Sequence, residues 1–184
     1  ECSGIVGKQN TWTQAGRDRY PVNCIDWQQA TAFCRWLGGR LPTEAQWEYS
    51  ARWRGPDAAA GRYPWGGAQG RYNSPANINL ELCNHGESLG RTDRVCSRPG
   101  GRSWFGIYNQ AGNVYEWTAD WYDANAYSSP PATDPFSSSG AGFRQLRGGG
   151  WFGPPFSVRG AYRCNFRPQD ADVDVGFRPA SPSP

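Results

Sequence analysis

Apolar residues recur at helical spacing early in the chain and share one face of a helix, namely Trp27, Ala30, Phe33, Cys34 and Leu37. Asp26 stands just before this stretch, where a carboxylate oxygen accepts the unpaired N–H groups of the first turn. Gly38 and Gly39 follow it and favour the end of a helix. The pattern predicts a helix between Asp26 and Gly38.

A second helix is predicted directly afterwards. Thr43 and Gln46 have the spacing of a capping box, in which the two side chains bond to each other's backbone N–H groups. We expect this helix to run through Trp47 and Ala51.

Strict alternation over residues 114–121 predicts a strand that carries on one side Tyr115, Trp117, Ala119 and Trp121. Residues 143–148, 157–163 and 173–178 are predicted to be further short strands. Two helices and short antiparallel strands among large loops indicate an α+β fold. The length of 184 residues fits a single domain over 1–184.

The loops are rich in Gly, Pro, Asn and Ser. Residues 54–106 form such a long excursion that we expect a disulfide or a metal to hold it. The Ser/Pro run at 180–184 is expected to be frayed.

Composition narrows the class of protein. Ten tryptophans and 15% aromatic residues indicate a core of rings in a loop-rich frame. No apolar run approaches the roughly 18 residues of a membrane span, so membrane insertion is not expected. The net charge of +3 is scattered without a basic block, which disfavours nucleic-acid binding. The chain has no methionine, even at residue 1, and we expect that an export signal has been removed.

Six cysteines lie too far apart for the close pairs of zinc or thioredoxin sites. Disulfides in an oxidising, extracytoplasmic compartment are the favoured interpretation, and buried free thiols are the alternative. The spacing suggests three pairs: Cys2 with Cys24, Cys83 with Cys96, and Cys34 with Cys164.

Several segments together resemble the formylglycine-generating enzymes, or sulfatase-modifying factors. They are PVNCIDWQQATAFCRWLGGRLPTEAQWEYSAR at 21–52, YPWGG at 63–67, YNQAGNVYEWTADWY at 108–122, and RGGGWFG at 147–153 with GAYR and VGFRPA after it. The resemblance implies the C-type-lectin-like variant of the α+β fold. It also implies that an N-terminal part of the family domain is missing, since residues 1–20 alone precede the first motif.

The resemblance implies a copper-binding cysteine pair as well, one cysteine right after the RGGSW-like motif and one a few residues on. Here the first position is Gly153, and no cysteine stands between Arg147 and Arg163. We therefore expect no copper and no formylglycine chemistry.

A calcium site is predicted at the turn before the 114–121 strand. Calcium takes six to eight oxygen ligands, and the side chains of Asn109 and Glu116 with the carbonyls of Gly112 and Val114 match the family's calcium motif. The alternative is that Glu116 pairs with an arginine and Asn109 makes a turn. A second site is suggested by a looser match, with the ligands Asn77, Ile78, Glu87 and Leu89.

Other catalytic sites are disfavoured. His85 is the single histidine, which excludes three-histidine metal sites, and we expect it on the surface. Cys164 is expected to be structural, and the glycines at 148–150 lack the residues that a phosphate loop requires. We interpret these glycines as positions of close packing.

An aromatic and polar face occupies the region that forms the substrate groove in the oxidases: Phe152, Phe156, Arg159, Tyr162 and Asn165. Trp151 is expected to be buried, whereas Phe152 and Phe156 flank two prolines and are expected to be exposed. Such side chains suit a contact surface.

The sequence thus predicts a non-catalytic, calcium-stabilised binding or assembly module with a protein or glycan partner. One alternative is an oxidoreductase of the same fold whose chemistry does not need the cysteine pair. Another alternative is a structural subunit of a larger complex.

Overall fold

The computed structural model describes residues 10–66, 81–86, 89–128 and 133–181. It contains two α-helices and one four-stranded sheet, connected by long loops. The predicted α+β class is confirmed. No helix within the described ranges combines the length and the apolar character needed to cross a bilayer.

The two helices begin where the capping signals place them. Helix α1 spans Trp27–Trp36 and is capped by Asp26, whose side chain accepts the N–H of Gln29 at 2.8 Å. Helix α2 spans Glu44–Arg52, and Thr43 and Gln46 form the predicted capping box. The buried face of α1 is narrower than predicted, because Ala30 and Cys34 are buried while Phe33 and Leu37 remain largely exposed.

The sheet has the strand order β3-β2-β1-β4. Its strands are β1 at Tyr115–Trp121, β2 at Arg144–Arg147, β3 at Cys164–Phe166 and β4 at Val175–Phe177. Strand β1 pairs antiparallel with β2 and parallel with β4, so the sheet is mixed rather than purely antiparallel. Both faces of β1 are buried because β1 lies between β2 and β4 in the sheet. Trp117 and Thr118, on opposite faces, are each inaccessible to solvent.

The main core lies between α1 and the sheet. Trp117 and Leu146 of the two central strands pack there with Ala30 and Cys34 of α1. The indole N–H of Trp117 donates to the carbonyl of Ile25 at 3.1 Å, so the ring is both buried and satisfied. A second cluster gathers Tyr63, Cys83, Ala111 and Val158.

Two local predictions are wrong. Residues 157–163 do not form a strand, because Pro154 and Pro155 start a 3-10 turn at Pro155–Val158 and Gly160 follows; β3 begins only at Cys164. Ala180 is not frayed, since it exchanges two backbone hydrogen bonds with Arg40 at 2.7 and 2.9 Å. Residues 182–184 lie outside the described ranges.

Backbone hydrogen bonds hold the described parts of the 54–106 excursion. The N–H of Asn113 donates to the carbonyl of Asn84 at 2.7 Å, and the N–H of Val95 donates to the carbonyl of Arg19 at 2.7 Å. The N–H of Gly86 donates to the carbonyl of Gly153 at 2.8 Å. The excursion is therefore fixed against the turns on either side of the sheet.

Candidate functional site

A glycine-rich turn follows β2 and lies beside the start of β1. Gly148 and Gly149 have φ values of +92° and +75°, which side-chain-bearing residues rarely adopt. The backbone of Gly149 also lies against Ser157, and that of Gly150 lies against the carboxylate of Asp174. The prediction that these glycines allow close packing is confirmed.

Gly153 is the position at which the resemblance places the first copper cysteine. A Cβ atom at Gly153 would lie 2.8 Å from Oγ of Ser157 and 3.3 Å from the hydroxyl of Tyr115. Ser157 is buried and its hydroxyl donates to the carbonyl of Pro154 at 2.7 Å. The space that a side chain at residue 153 would need is therefore occupied.

Buried polar groups surround this turn. Ser157 is hydrogen-bonded to Tyr115, whose pKa burial raises well above its usual range. Asp174 is 8% exposed, and burial, together with the nearby charge of Asp172, raises its pKa to about 7. Burial also raises the pKa of the Cys164 thiol, which disfavours the reactive thiolate.

The predicted aromatic face forms in part. Phe152 is 61% exposed and Phe156 is 37% exposed, whereas Trp151 is buried, as predicted. The rings of Phe156 and Tyr162 meet edge to face with centroids 5.6 Å apart, and Nε of Arg159 donates to the carbonyl of Phe156 at 2.8 Å. The structure therefore brings Phe156, Arg159 and Tyr162 together.

Phe152 and Asn165, the other two residues of the predicted face, contact different parts of the structure. The ring of Phe152 packs against Trp151 at a centroid distance of 5.5 Å. Asn165 is in β3, opposite Gln145 of β2.

A buried arginine anchors the segment that carries this face. Arg147 donates from Nη1 to the carbonyl of Tyr162 at 2.7 Å and from Nη2 to the carbonyl of Gly160 at 2.8 Å. Its charge is balanced by Glu48, at 2.5 Å, and by Glu44, at 3.7 Å, both on α2. Sequence reasoning missed this role, because the pattern shows Arg147 only as the first residue of a motif.

Three of the four residues predicted to bind calcium before β1 lie together. Asn109, Val114 and Glu116 line one cavity of about 420 Å³. Asn109 and Gly112 have φ values of +57° and +79°, so the turn is tightly wound before β1 begins.

The side chains of this cavity are already engaged, however. Glu116 accepts from Nε and Nη2 of Arg178, both at 2.5 Å, and from the indole N–H of Trp47 at 2.6 Å. Oδ1 of Asn109 accepts the N–H of Cys96 at 3.0 Å. Glu116, the one carboxylate of the set, is neutralised by Arg178, so a calcium ion would have to displace this arginine.

The second predicted calcium site cannot be placed. Asn77, Ile78 and Glu87 lie outside the described residues, and Leu89 is exposed. In the described part of the chain, no group of three or more His, Cys, Asp or Glu side chains is arranged to hold a metal ion.

Comparison with known proteins decides the family. The profile of the family described as "Sulfatase-modifying factor enzyme 1-like domain" matches residues 3–182. The chain belongs to this family.

Relatives of this sulfatase-modifying-factor domain include enzymes. It is 35% identical over 181 residues to the formylglycine-generating enzyme of Streptomyces coelicolor, covering 90% of this chain and 54% of that protein. Among solved structures, PvdO from Pseudomonas aeruginosa has a TM-score of 0.68 at 28% identity, covering 86% of this chain and 60% of that one. Treponema denticola variable protein 1 has a TM-score of 0.74 at 23% identity, covering 96% and 76%, and shows the shared fold. The chain spans about half the length of the curated relative.

The cysteines of the sulfatase-modifying-factor domain differ from the prediction. Cys24 is disulfide-bonded, and Cys2, its predicted partner, lies outside the described residues. Cys34, Cys83, Cys96 and Cys164 are free thiols, so the pairs predicted for 83 with 96 and 34 with 164 are wrong. Cys34 and Cys83 serve instead as apolar core residues, which is the alternative that the sequence left open.

The prediction that His85 is a surface residue is also wrong. His85 is inaccessible to solvent, because Asn84 and Gly86 on either side of it are bonded to the turns at Asn113 and Gly153. The residues around His85 are polar or small, and this composition predicts an exposed loop rather than the buried one that the structure shows.

Proposed function

We propose that this chain is a non-catalytic binding or assembly module built on the sulfatase-modifying-factor fold. The observation that carries the proposal is at Gly153, where Ser157 and Tyr115 fill the space of a side chain. Because residues 148–163 also contain no cysteine, the chain offers no thiolate pair for copper. We therefore expect that this chain binds no copper.

The exposed aromatic residues next to this closed position support a role in binding. Phe156 packs edge to face on Tyr162, and the carbonyls of Gly160 and Tyr162 are held by the buried Arg147. A rigid aromatic surface loses little conformational entropy on binding, which favours contact with a protein or glycan partner.

Replacement of Phe156 by Ser tests this function. A surface substitution changes stability by about 0.5 kcal/mol or less, whereas loss of an interface aromatic often costs about 2 kcal/mol of binding. We expect Phe156→Ser to keep the melting temperature and to lose binding on peptide and glycan arrays. The matched control is Trp36→Ser on α1, which removes a ring that is 78% exposed away from this face and should leave array binding intact.

Two outcomes would count against the binding face. Unfolding of Phe156→Ser would show that the ring belongs to the core. Unchanged array binding would show that partners bind another surface.

We also propose that calcium stabilises the turn before β1. The ion would be held by Asn109 and Glu116 with the carbonyls of Gly112 and Val114, and it would brace the turn before β1. The cavity shared by Asn109, Val114 and Glu116 supports this, and Arg178 must first release Glu116. If calcium binds, Arg178→Gln should strengthen calcium binding in a calorimetric titration; equal, negligible heats for both proteins would refute the site.

We also propose an extracytoplasmic location and a role in a larger assembly. The disulfide at Cys24 favours an extracytoplasmic location, where such bonds persist. A subunit role in a larger complex is compatible with the exposed aromatic residues, and native mass measurement of the isolated material tests it.

The alternative, an oxidoreductase independent of the cysteine pair, is favoured by one observation. Asp174, with a pKa of about 7, lies beside Tyr115 and Cys164 beneath the aromatic face. Perturbed acids of this kind are common in active sites. A stoichiometric redox metal or organic cofactor in the purified protein would support the alternative, and the absence of both would count against it.

A further inference from the structure

A separate cavity of about 320 Å³ lies between α2 and the segment after β4, apart from the aromatic face. Its polar lining comes from Arg40, Gln46, Ser50, Arg178 and Ser181. Trp47 and Ile107 contribute apolar surface. Of the described residues, no aspartate or glutamate lines it. A concave site with convergent polar groups and apolar walls is the usual form of a small-molecule site.

Arg40 gives this cavity an uncompensated positive charge. Its Nη1 group donates to the carbonyl of Leu41 at 3.1 Å and to Oε1 of Gln46 at 2.8 Å, which are both neutral acceptors. Its Nε and Nη2 groups make no hydrogen bond to the described part of the chain, and none of the ion pairs there includes it. A guanidinium with two free nitrogen donors is suited to a bidentate contact with an oxyanion.

Arg178 contributes a donor without contributing net charge. Its Nε and Nη2 groups are bound to Glu116 and to the carbonyl of Tyr108, while Nη1 makes no hydrogen bond within the described ranges. The Ser50 hydroxyl donates to the carbonyl of Trp47 at 2.8 Å and accepts from Nε2 of Gln110 at 2.7 Å, so its position is set. The cavity therefore has a net charge of one, and the donors that no described residue occupies are on Arg40 and on Nη1 of Arg178.

We propose that this cavity binds the carboxylate of a small organic monoanion, with Arg40 as the charged contact and the apolar body of the molecule against Trp47 and Ile107. A single uncompensated positive charge matches a monoanion better than a phosphate, which carries more than one negative charge near neutral pH. The apolar part of the lining adds burial that an inorganic ion cannot use. The site is independent of the proposed partner-binding face.

Binding is tested first with the unaltered protein by two-dimensional ¹H–¹⁵N spectroscopy. Benzoate is the probe, benzamide is its uncharged counterpart, and inorganic phosphate represents the other oxyanion. We expect benzoate to shift the indole N–H signal of Trp47 and the amide signal of Ser50 in a saturable manner, with benzamide at least about tenfold weaker. Equal binding of benzamide, tighter binding of phosphate, or shifts that leave Trp47 unmoved would each overturn the proposal.

Variants then test the named contact. Arg40→Gln removes the charge and should weaken benzoate binding by about tenfold or more, because a charge-assisted hydrogen-bond pair is lost. Arg35→Gln, on the exposed surface of α1, removes the same charge five residues earlier and should bind benzoate as the unaltered protein does. Undiminished binding by Arg40→Gln would overturn the assignment. If that variant fails to fold, the Trp47 mapping in the unaltered protein decides.

Discussion

Ser157 and Gly153 form the contact on which the interpretation of the site depends. Ser157 is buried, and its hydroxyl lies where the side chain of any residue at position 153 would begin. Any side chain at position 153 would therefore displace the Ser157 hydroxyl from its present position. Interiors are packed closely enough that one added methyl group at such a place is felt.

Substitution of Gly153 by Ala tests this contact at the residue scale. We expect a loss of about 1–3 kcal/mol in the free energy of unfolding, since overpacking displaces Ser157. The same substitution in a Ser157→Ala background should cost less, because the atom 2.8 Å away has been removed. Urea unfolding of the four proteins measures the coupling; additive effects would contradict the contact.

Thiol chemistry gives a second prediction at this scale. Because Cys34, Cys83, Cys96 and Cys164 are free and Cys96 is exposed, a thiol reagent should modify Cys96 alone in the native protein. Burial raises the pKa of Cys83 to about 12, which slows its reaction further. Four thiols should react after unfolding without reductant. If no thiol reacted after unfolding, the disulfides predicted between residues 83 and 96 and between residues 34 and 164 would be supported instead.

At the scale of elements, α2 and β2 together hold the segment that carries Phe156 and Tyr162. Arg147 at the end of β2 places its guanidinium between the carboxylates of α2 and two carbonyls of that segment. A second arginine, Arg163, binds Glu44 at 2.6 and 2.8 Å. Removal of one partner from such a buried pair costs far more than loss of a surface ion pair. The aromatic face is therefore rigid relative to α2.

The packing of the glycine turn against the start of β4 makes stability depend on pH. Burial raises the pKa of Asp174 to about 7 from an ordinary value of 3.8, with Asp172, Tyr115 and Cys164 as its titratable neighbours. The folded state then binds the proton more tightly than the unfolded state. The contribution of Asp174 to the free energy of unfolding is therefore greatest below pH 3.8, and it falls as the pH rises towards 7.

The expected slope is about 1.4 kcal/mol per pH unit between pH 4 and 7. Asp174→Asn should flatten it, and the conservative Asp172→Asn should leave most of it. Chemical unfolding at a series of pH values measures these slopes. A slope that persists in Asp174→Asn would assign the pH dependence to another group.

Local signals predicted the elements well, and long-range contacts explain what they missed. Asp26 and Thr43 each cap a helix together with a residue three positions later. Such a local signal can be recognised in a single sequence. The burial of His85, the parallel pairing of β1 with β4 and the partners of Arg147 depend on residues far along the chain. Exposure of Phe152 and Phe156 was predictable because the adjacent prolines keep that segment out of the sheet.

At the scale of the whole molecule, the chain keeps the fold of a family that includes formylglycine-generating enzymes while the cysteine-bearing position of those enzymes, as inferred from the resemblance, is a packed glycine. Fold alone does not establish activity, which depends on the groups at the site. Among the described residues, the aromatic face and the Arg40 cavity are two accessible places at which we propose that other molecules bind.

The most direct test of this account is an assay for formylglycine formation. The chain is incubated with copper, oxygen and a sulfatase-type peptide that contains cysteine, beside the Streptomyces coelicolor formylglycine-generating enzyme as the positive control. The peptide's mass is then measured by mass spectrometry. The account predicts an unchanged peptide mass with this chain; a mass loss that matches conversion of cysteine to formylglycine would contradict it.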